Sequence, residues 1–367
     1  MTGLRFFLAL WVIVHHLTGK NMLLEAWVQT LPEPVKAFLH GGYVAVGTFF
    51  VLSGFVLARA YADTAWDTRN LLKYGAARIA RVYPVYLLSL VIISPFVLEY
   101  LGTTRAPAEE NAKLLANYGF VLQGWSSKLP VHWNTPAWSL SCEFFFYLCF
   151  PVIAALLSRA RWQRTLVAVA CAACIPFVLD RAGVPGTWKP MQHLADFLMG
   201  IATADAYGAW KHKVSGYWLY LPAALIGTLI VANPQWTWHW MVLNTALRPF
   251  NGMLLLGLAI GGGLPVQALS NQVAEFLGKA SYSMYILHVP LLWWYKRSWI
   301  FLSGTLASTS SAVVYLGMVI GVSSVVCQWF EEPANRFVRS WVSAKVRRPS
   351  DRAPEPNRVP APSLREA

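Results

Sequence analysis

Apolar residues gather into ten runs along the chain, at 4–19, 41–59, 83–101, 136–157, 165–181, 191–207, 217–232, 245–263, 280–296 and 309–330. A helix rising about 1.5 Å per residue needs about 20 such residues to cross the hydrocarbon core of a bilayer. The first and eighth runs are short and draw on their flanks to complete a crossing. The pattern predicts an all-α fold: a polytopic membrane bundle of about ten transmembrane helices. No internal repeat and no second globular unit interrupts it, so one membrane-embedded domain is expected over residues 1–340. The stretch 341–367 ends in RRPSDRAPEPNRVPAPSLREA, rich in Pro and Arg and without apolar periodicity, which predicts a disordered basic tail.

Polar residues inside those runs carry the functional signal, because a charge in hydrocarbon costs about 2.5 kcal/mol or more. In the first run, GLRFFLALWVIVHHL, Arg5 and His16 lie eleven positions apart. Eleven residues is almost three helical turns, so both side chains leave nearly the same face, roughly 16 Å apart along the axis. A histidine alone in a span is usually packing glue, and the company of Arg5 turns the reading toward function. Neighbouring His15 points about 100° away and is expected to be structural.

Three further clusters follow. In NTPAWSLSCEFFFYLCFP, Ser139, Glu143 and Tyr147 recur every four positions and form one stripe, either an interhelical tie or a reactive surface. In KASYSMYILHVPLL, Ser281, Tyr285 and His288 share a face, and Pro290 loosens the backbone just beyond. RIARVYP places Arg78 and Arg81 one turn apart before the third run; the pair could anchor topology or clamp phosphate. FEEPANRF sets Glu331, Glu332 and Arg336 at the end of the tenth run, in position to pair with that arginine cluster.

Composition agrees with the membrane reading: 56 % of residues are hydrophobic and 13 % charged, against about 25 % charged in soluble domains. The 18 Trp and 15 Tyr fit interfacial belts. The net charge of +13 is spread over short loops and the tail, so the lipid bilayer, and not nucleic acid, is the expected partner. With the N-terminus inside, about two thirds of the 30 Lys and Arg face inward, which puts both termini in the cytoplasm and loop 102–135 outside. The N-terminal run shows no small-residue cleavage site. The five cysteines lack metal-ligand spacing, and no metal is expected.

In this order the clusters resemble the acyltransferase-3 family of bacterial integral-membrane O-acyltransferases. Arg5 and His16 match its arginine, ten residues, histidine motif; Phe49 to Phe55 match FFVLSGF; Arg78, Arg81, Tyr83 and Pro84 match its basic phrase. Trp138 to Tyr147 match WSLSxExxxY, Ser281 to His288 match SYSxYxxH, and Glu332 with Pro333 match the terminal E-P phrase. One departure is Gly47, where many relatives carry an aspartate. Another is the lack of the extracytoplasmic esterase-like domain of some members.

The resemblance implies a multi-pass enzyme of the bacterial cytoplasmic (inner) membrane. It would move an acetyl group from cytoplasmic acetyl-CoA to a hydroxyl of an extracytoplasmic glycan, first a lipid-linked exopolysaccharide repeat unit, with polysaccharide-assembly proteins as further partners. On that reading Arg5, Arg78 and Arg81 hold the CoA phosphates. His16 acts as general base or acyl carrier, Glu143 orients it, and Ser139, Tyr147 and His288 support the developing charge. The alternative is a secondary transporter or flippase for a polyprenyl-linked sugar or anion, which the missing inverted repeat disfavours.

Overall fold

A computed structural model describes residues 1–104, 107–125, 133–157, 162–183, 188–233, 235, 240–303 and 309–345. Every regular element among the described residues is helical. Ten longer helices match the ten apolar runs: α1 (Thr2–Leu17), α2 (Ala45–Ala60), α3 (Thr68–Thr104), α4 (Trp138–Leu157), α5 (Trp162–Arg181), α6 (Leu194–Trp210), α7 (Tyr217–Val231), α8 (Trp240–Ile260), α9 (Gln272–Ser303) and α10 (Thr309–Val326). An eleventh, α11 (Glu332–Lys345), continues from α10 through a π turn, Cys327–Glu331. Four stretches are long and apolar enough to cross a membrane: Glu33–Ala60, Thr68–Thr103, Thr135–Leu157 and Thr309–Val342. Thr2–Leu17 and Tyr217–Val231 are apolar but shorter.

Two expectations need correcting. Helix α3 begins at Thr68, well before position 83, so Arg78 and Arg81 sit within a helix and not ahead of one. The loop 102–135 contains a helix, Ala108–Gly119, which buries Leu114 and Tyr118. The Tyr86 hydroxyl donates to the Tyr118 carbonyl oxygen at 2.6 Å, and the Trp133 amide donates to the Tyr118 hydroxyl at 2.9 Å. Helix α11 continues through position 341 to Lys345; residues 346–367, where the disordered tail is expected, lie outside the described residues.

The outer surface of the bundle is apolar. Leu148, Leu156, Val91 and Leu225 are each more than 60 % exposed, as lipid-facing side chains are. The interior holds helices together by close backbone approach and by aromatic rings. A Cβ on Gly54 would stand 2.1 Å from the Phe197 carbonyl oxygen, and one on Gly200 would stand 2.0 Å from that of Val51. Only glycine permits α2 and α6 to meet this way, a contact typical of membrane helices. Phe146 of α4 stacks on Phe197 of α6 at 4.9 Å, and Phe50 of α2 meets Phe146 edge-on at 5.3 Å. At the other seam, a Cβ on Gly278 would stand 2.1 Å from the Thr2 carbonyl oxygen. That contact lays α1 against α9 and brings the two histidine-bearing helices into register.

Candidate active site

Helices α1, α2, α3, α4, α9 and α11 enclose a cavity of about 280 Å³. Its polar wall consists of Arg5, Ser53, Arg78, Arg81, Ser139, Glu143, Tyr147, Ser281, Tyr282, Tyr285, Asn335 and Arg339; its apolar wall includes Val46, Phe49, Phe50 and Leu140. Eight residues singled out by sequence spacing therefore meet here: Arg5, Arg78, Arg81, Ser139, Glu143, Tyr147, Ser281 and Tyr285. The four-residue spacing on α4 does what spacing predicts, and the Tyr147 hydroxyl donates to Glu143 Oε2 at 3.3 Å. Arg5 and Glu143 lie close enough to interact through their charges.

The arginines differ in their freedom. Arg81 Nη1 donates to Glu331 Oε1 at 2.8 Å, and the Ser283 hydroxyl donates to Glu331 Oε2 at 2.7 Å. Glu331, 1 % exposed, thus fixes Arg81 in place, confirming the pairing expected between that end of the chain and the arginine cluster. Arg78 is caged by the rings of Tyr61, Tyr74 and Tyr147 at 6.0, 5.8 and 5.6 Å, and its Nε has no hydrogen-bond partner among the described residues. A guanidinium held by aromatic faces keeps its hydrogen-bonding edges for a ligand.

His16 and His288 do not line the cavity. They face each other instead, ring centroids 4.9 Å apart. Each Nδ1 is engaged by a carbonyl of its own helix: His16 donates to Val12 at 2.9 Å and His288 to Tyr285 at 2.7 Å. A nitrogen that donates carries the proton, so in both neutral rings Nε2 holds the basic lone pair. His288 is 1 % exposed and its Nε2 has no partner among the described residues. The expected support of His16 by Glu143 is thus not the arrangement found. Glu143 is occupied by Tyr147 and the arginines, and the neighbour of His16 is His288. His15 does turn elsewhere: its Nδ1 donates to the His40 carbonyl oxygen at 2.6 Å.

Tyr285 joins the two parts. It lines the cavity, its ring lies 6.1 Å from that of His288, and Phe49 packs on it at 6.0 Å. Its hydroxyl donates to Ser139 Oγ at 2.9 Å and to the Pro136 carbonyl oxygen at 3.2 Å. Asn134 Nδ2 donates to the Ile286 carbonyl oxygen at 2.9 Å, which ties this stretch of α9 to the start of α4.

A buried cluster escaped the sequence reading. His193 Nδ1 and Arg248 Nε donate to the two oxygens of Asp196 at 2.8 and 2.7 Å. All three side chains are nearly fully buried. A Cβ at Gly47 would stand 3.8 Å from Asp196 Oδ2 and 3.6 Å from Asn244 Oδ1. The carboxylate beside position 47 is therefore that of Asp196 on α6. His193 also lies 5.4 Å from the Trp138 ring, over which Lys189 sits at 4.2 Å. Burial lowers the Lys189 ammonium below its ordinary value. The available signal was Arg248, a lone arginine inside an apolar run. Asn335 and Arg339 were also missed, since nothing distinguishes them from a solvated helix face.

A family model described as an acyltransferase domain matches residues 1–328. The chain is 27 % identical over 403 aligned positions to "Acyltransferase MdmB" of Streptomyces mycarofaciens, covering all of this chain (100 %) and 97 % of the relative. It is 23 % identical over 329 positions to "O-acetyltransferase OatA" of Staphylococcus aureus, covering 80 % of this chain but half (50 %) of OatA's length. A shorter similarity, 31 % over 150 positions, joins it to "Protein 2 in picA locus" of Rhizobium radiobacter. No solved structure matches.

Proposed function

The chain belongs to the acyltransferase-domain family, and from that premise we propose that it is a membrane O-acyltransferase carrying acetyl from cytoplasmic acetyl-CoA to a hydroxyl of an extracytoplasmic glycan. The observation that carries this reading is the cavity itself: four arginines and one glutamate on a wall that continues, through Tyr285, to the facing pair of buried His288 and half-buried His16. A cation-rich pocket suits the phosphates of CoA, and charge-assisted hydrogen bonds from arginine forks are the strong kind. The apolar wall of Val46, Phe49 and Leu140 suits the pantetheine arm. On the proposed ten-span topology, with both termini inside, the arginine mouth would open to the cytoplasm, where that donor is made.

The chemistry then needs few parts. The acyl end reaches the histidines once Tyr285 swings from Ser139. His16 Nε2 takes the proton of the acceptor hydroxyl as its oxygen attacks the thioester carbonyl carbon. Charge developing on the carbonyl oxygen is met by the hydroxyls of Tyr285 and Ser139. Collapse of the tetrahedral adduct forms the ester, breaks the carbon–sulfur bond and expels the CoA thiolate, which takes the proton from His16. His288 Nε2 shares that proton in the interim.

A lipid-linked exopolysaccharide repeat unit is our first choice of acceptor. The family match supports an enzyme over a transporter. Incubating membranes that contain the protein with acetyl-labelled acetyl-CoA tests the reading. Label should enter a polysaccharide or glycolipid fraction, and mass spectrometry should show one added acetyl ester per modified unit. Membranes that carry folded protein and transfer no label to any acceptor would overturn it.

A further inference from the structure

Helix α11 leaves the bundle at the π turn Cys327–Glu331. Such i→i+5 turns are rare and concentrate at functional sites. Here the turn carries Glu331 inward to hold Arg81, and it aims the following helix across the arginine end of the cavity. Asn335 and Arg339, four residues apart and so on one face of α11, both line the cavity. Phe337 and Trp341, 69 % and 51 % exposed, each fall two positions away from one of them, about 200° around the helix. The helix thus has one apolar face and a separate polar face turned to the cavity. Among the described residues, Arg339 has no carboxylate within ion-pair distance.

We propose that Asn335 and Arg339 are the outermost part of the donor site and recognise a phosphate at the nucleotide end of CoA. The assignment rests on the acyl-CoA reading above. Arg5, Arg78 and Arg81 extend the same basic wall inward, so a long polyanion entering from the mouth meets Arg339 before the others. An anionic lipid headgroup offers the same phosphate chemistry. It would approach from the side of Phe337 and Trp341, however, and Arg339 faces the other way.

Calorimetry on the full chain in phosphatidylcholine nanodiscs tests this with two probes: CoA, and pantetheine, which is the same arm without phosphates. Arg339→Gln should raise the CoA dissociation constant about tenfold, the scale of one hydrogen bond to a charged group, and leave pantetheine unchanged. Asn335→Ala should act in the same direction more weakly, and Arg339→Lys should restore part of the affinity. Unchanged thermal midpoints establish that the variants are folded. An unchanged CoA affinity in Arg339→Gln, an equal loss for both probes, or a loss confined to nanodiscs containing phosphatidylglycerol would overturn the proposal. Wild-type protein that binds CoA no better than pantetheine would overturn it as well. Wild-type protein that prefers CoA but transfers no acetyl would instead sink the transfer reading and leave the phosphate site standing.

Discussion

His16 of α1 and His288 of α9 face each other with ring centroids 4.9 Å apart, each Nδ1 committed to a carbonyl of its own helix. On the proposed mechanism these two imidazoles, whose remaining nitrogens both bear lone pairs, would act as one unit for a single proton. His16→Ala is expected to lower acyl transfer by about 10²–10⁴, the usual loss for a general base, in protein that still inserts and folds. His288→Ala should come close behind. The double variant should be little worse than His16→Ala, because groups that act together are non-additive. His15→Ala should be much milder, since its ring is engaged by His40. Initial rates on purified, monodisperse protein check all four, and near-normal turnover in His16→Ala would remove the histidine from the chemistry.

Arg78 and Arg81 should separate into a binding residue and an anchor. Arg81→Ala strips the cationic partner from Glu331, 1 % exposed, leaving it only the Ser283 hydroxyl, and is expected to destabilise the fold by about 1–3 kcal/mol. The lower part of that range reflects the 29 % exposure of the Arg81 side chain. Arg78→Ala should leave the thermal midpoint nearly unchanged while weakening CoA binding about tenfold or more. Parallel melting and binding curves check the split. Equal behaviour of the two variants would contradict it.

Glu143→Gln keeps the shape that accepts the Tyr147 hydroxyl and removes a negative charge from the arginine wall. The variant should bind CoA at least as tightly as the parent and still transfer acetyl more slowly, by about tenfold or more, if the carboxylate is needed to hold Arg5 and Tyr147 in working positions. A separate determination of KM and kcat shows which parameter moves. Full kcat in the variant would make Glu143 an interhelical tie.

Gly47→Asp tests the reading of the Asp196 cluster. A carboxylate built at position 47 would meet Asp196 and Asn244, while Asp196 is already matched by His193 and Arg248. Two carboxylates in one buried site oppose ionisation of both. The substitution should lower the thermal midpoint, and Asp196→Asn in the same chain should recover part of the loss. A variant as stable as the parent would show that the pocket beside Gly47 is open to a second charge.

Much of the site is legible in the sequence because hydrocarbon makes charges expensive: Arg5, Glu143 and the histidines stand out simply by lying in apolar runs. Spacing also tells which of them share a face of one helix, as Ser139, Glu143 and Tyr147 do. It does not tell which helix that face meets. Arg5 and His16 leave α1 within about 20° of each other, yet one reaches the cavity and the other reaches His288. The difference is made by α9, drawn against α1 where Gly278 meets Thr2. The role of Arg339 is hidden for a different reason. It lies in a polar stretch where basic residues are ordinary, and only the π turn before it, which has no sequence signature, directs that stretch over the cavity.

An enzyme served by one compartment for its donor and by the other for its acceptor is also a breach in the barrier between them. The place where that breach would open is occupied by Tyr285, latched to Ser139 and Pro136 and backed by Phe49. On the proposed transfer path, the ring that must move aside for the acyl group would also insulate the cell. Protons and small ions taking that path would meet an aromatic ring between the arginine wall and the histidines. Tyr285→Ala is then a change whose first symptom would be a leaking membrane, before any loss of acetylated product.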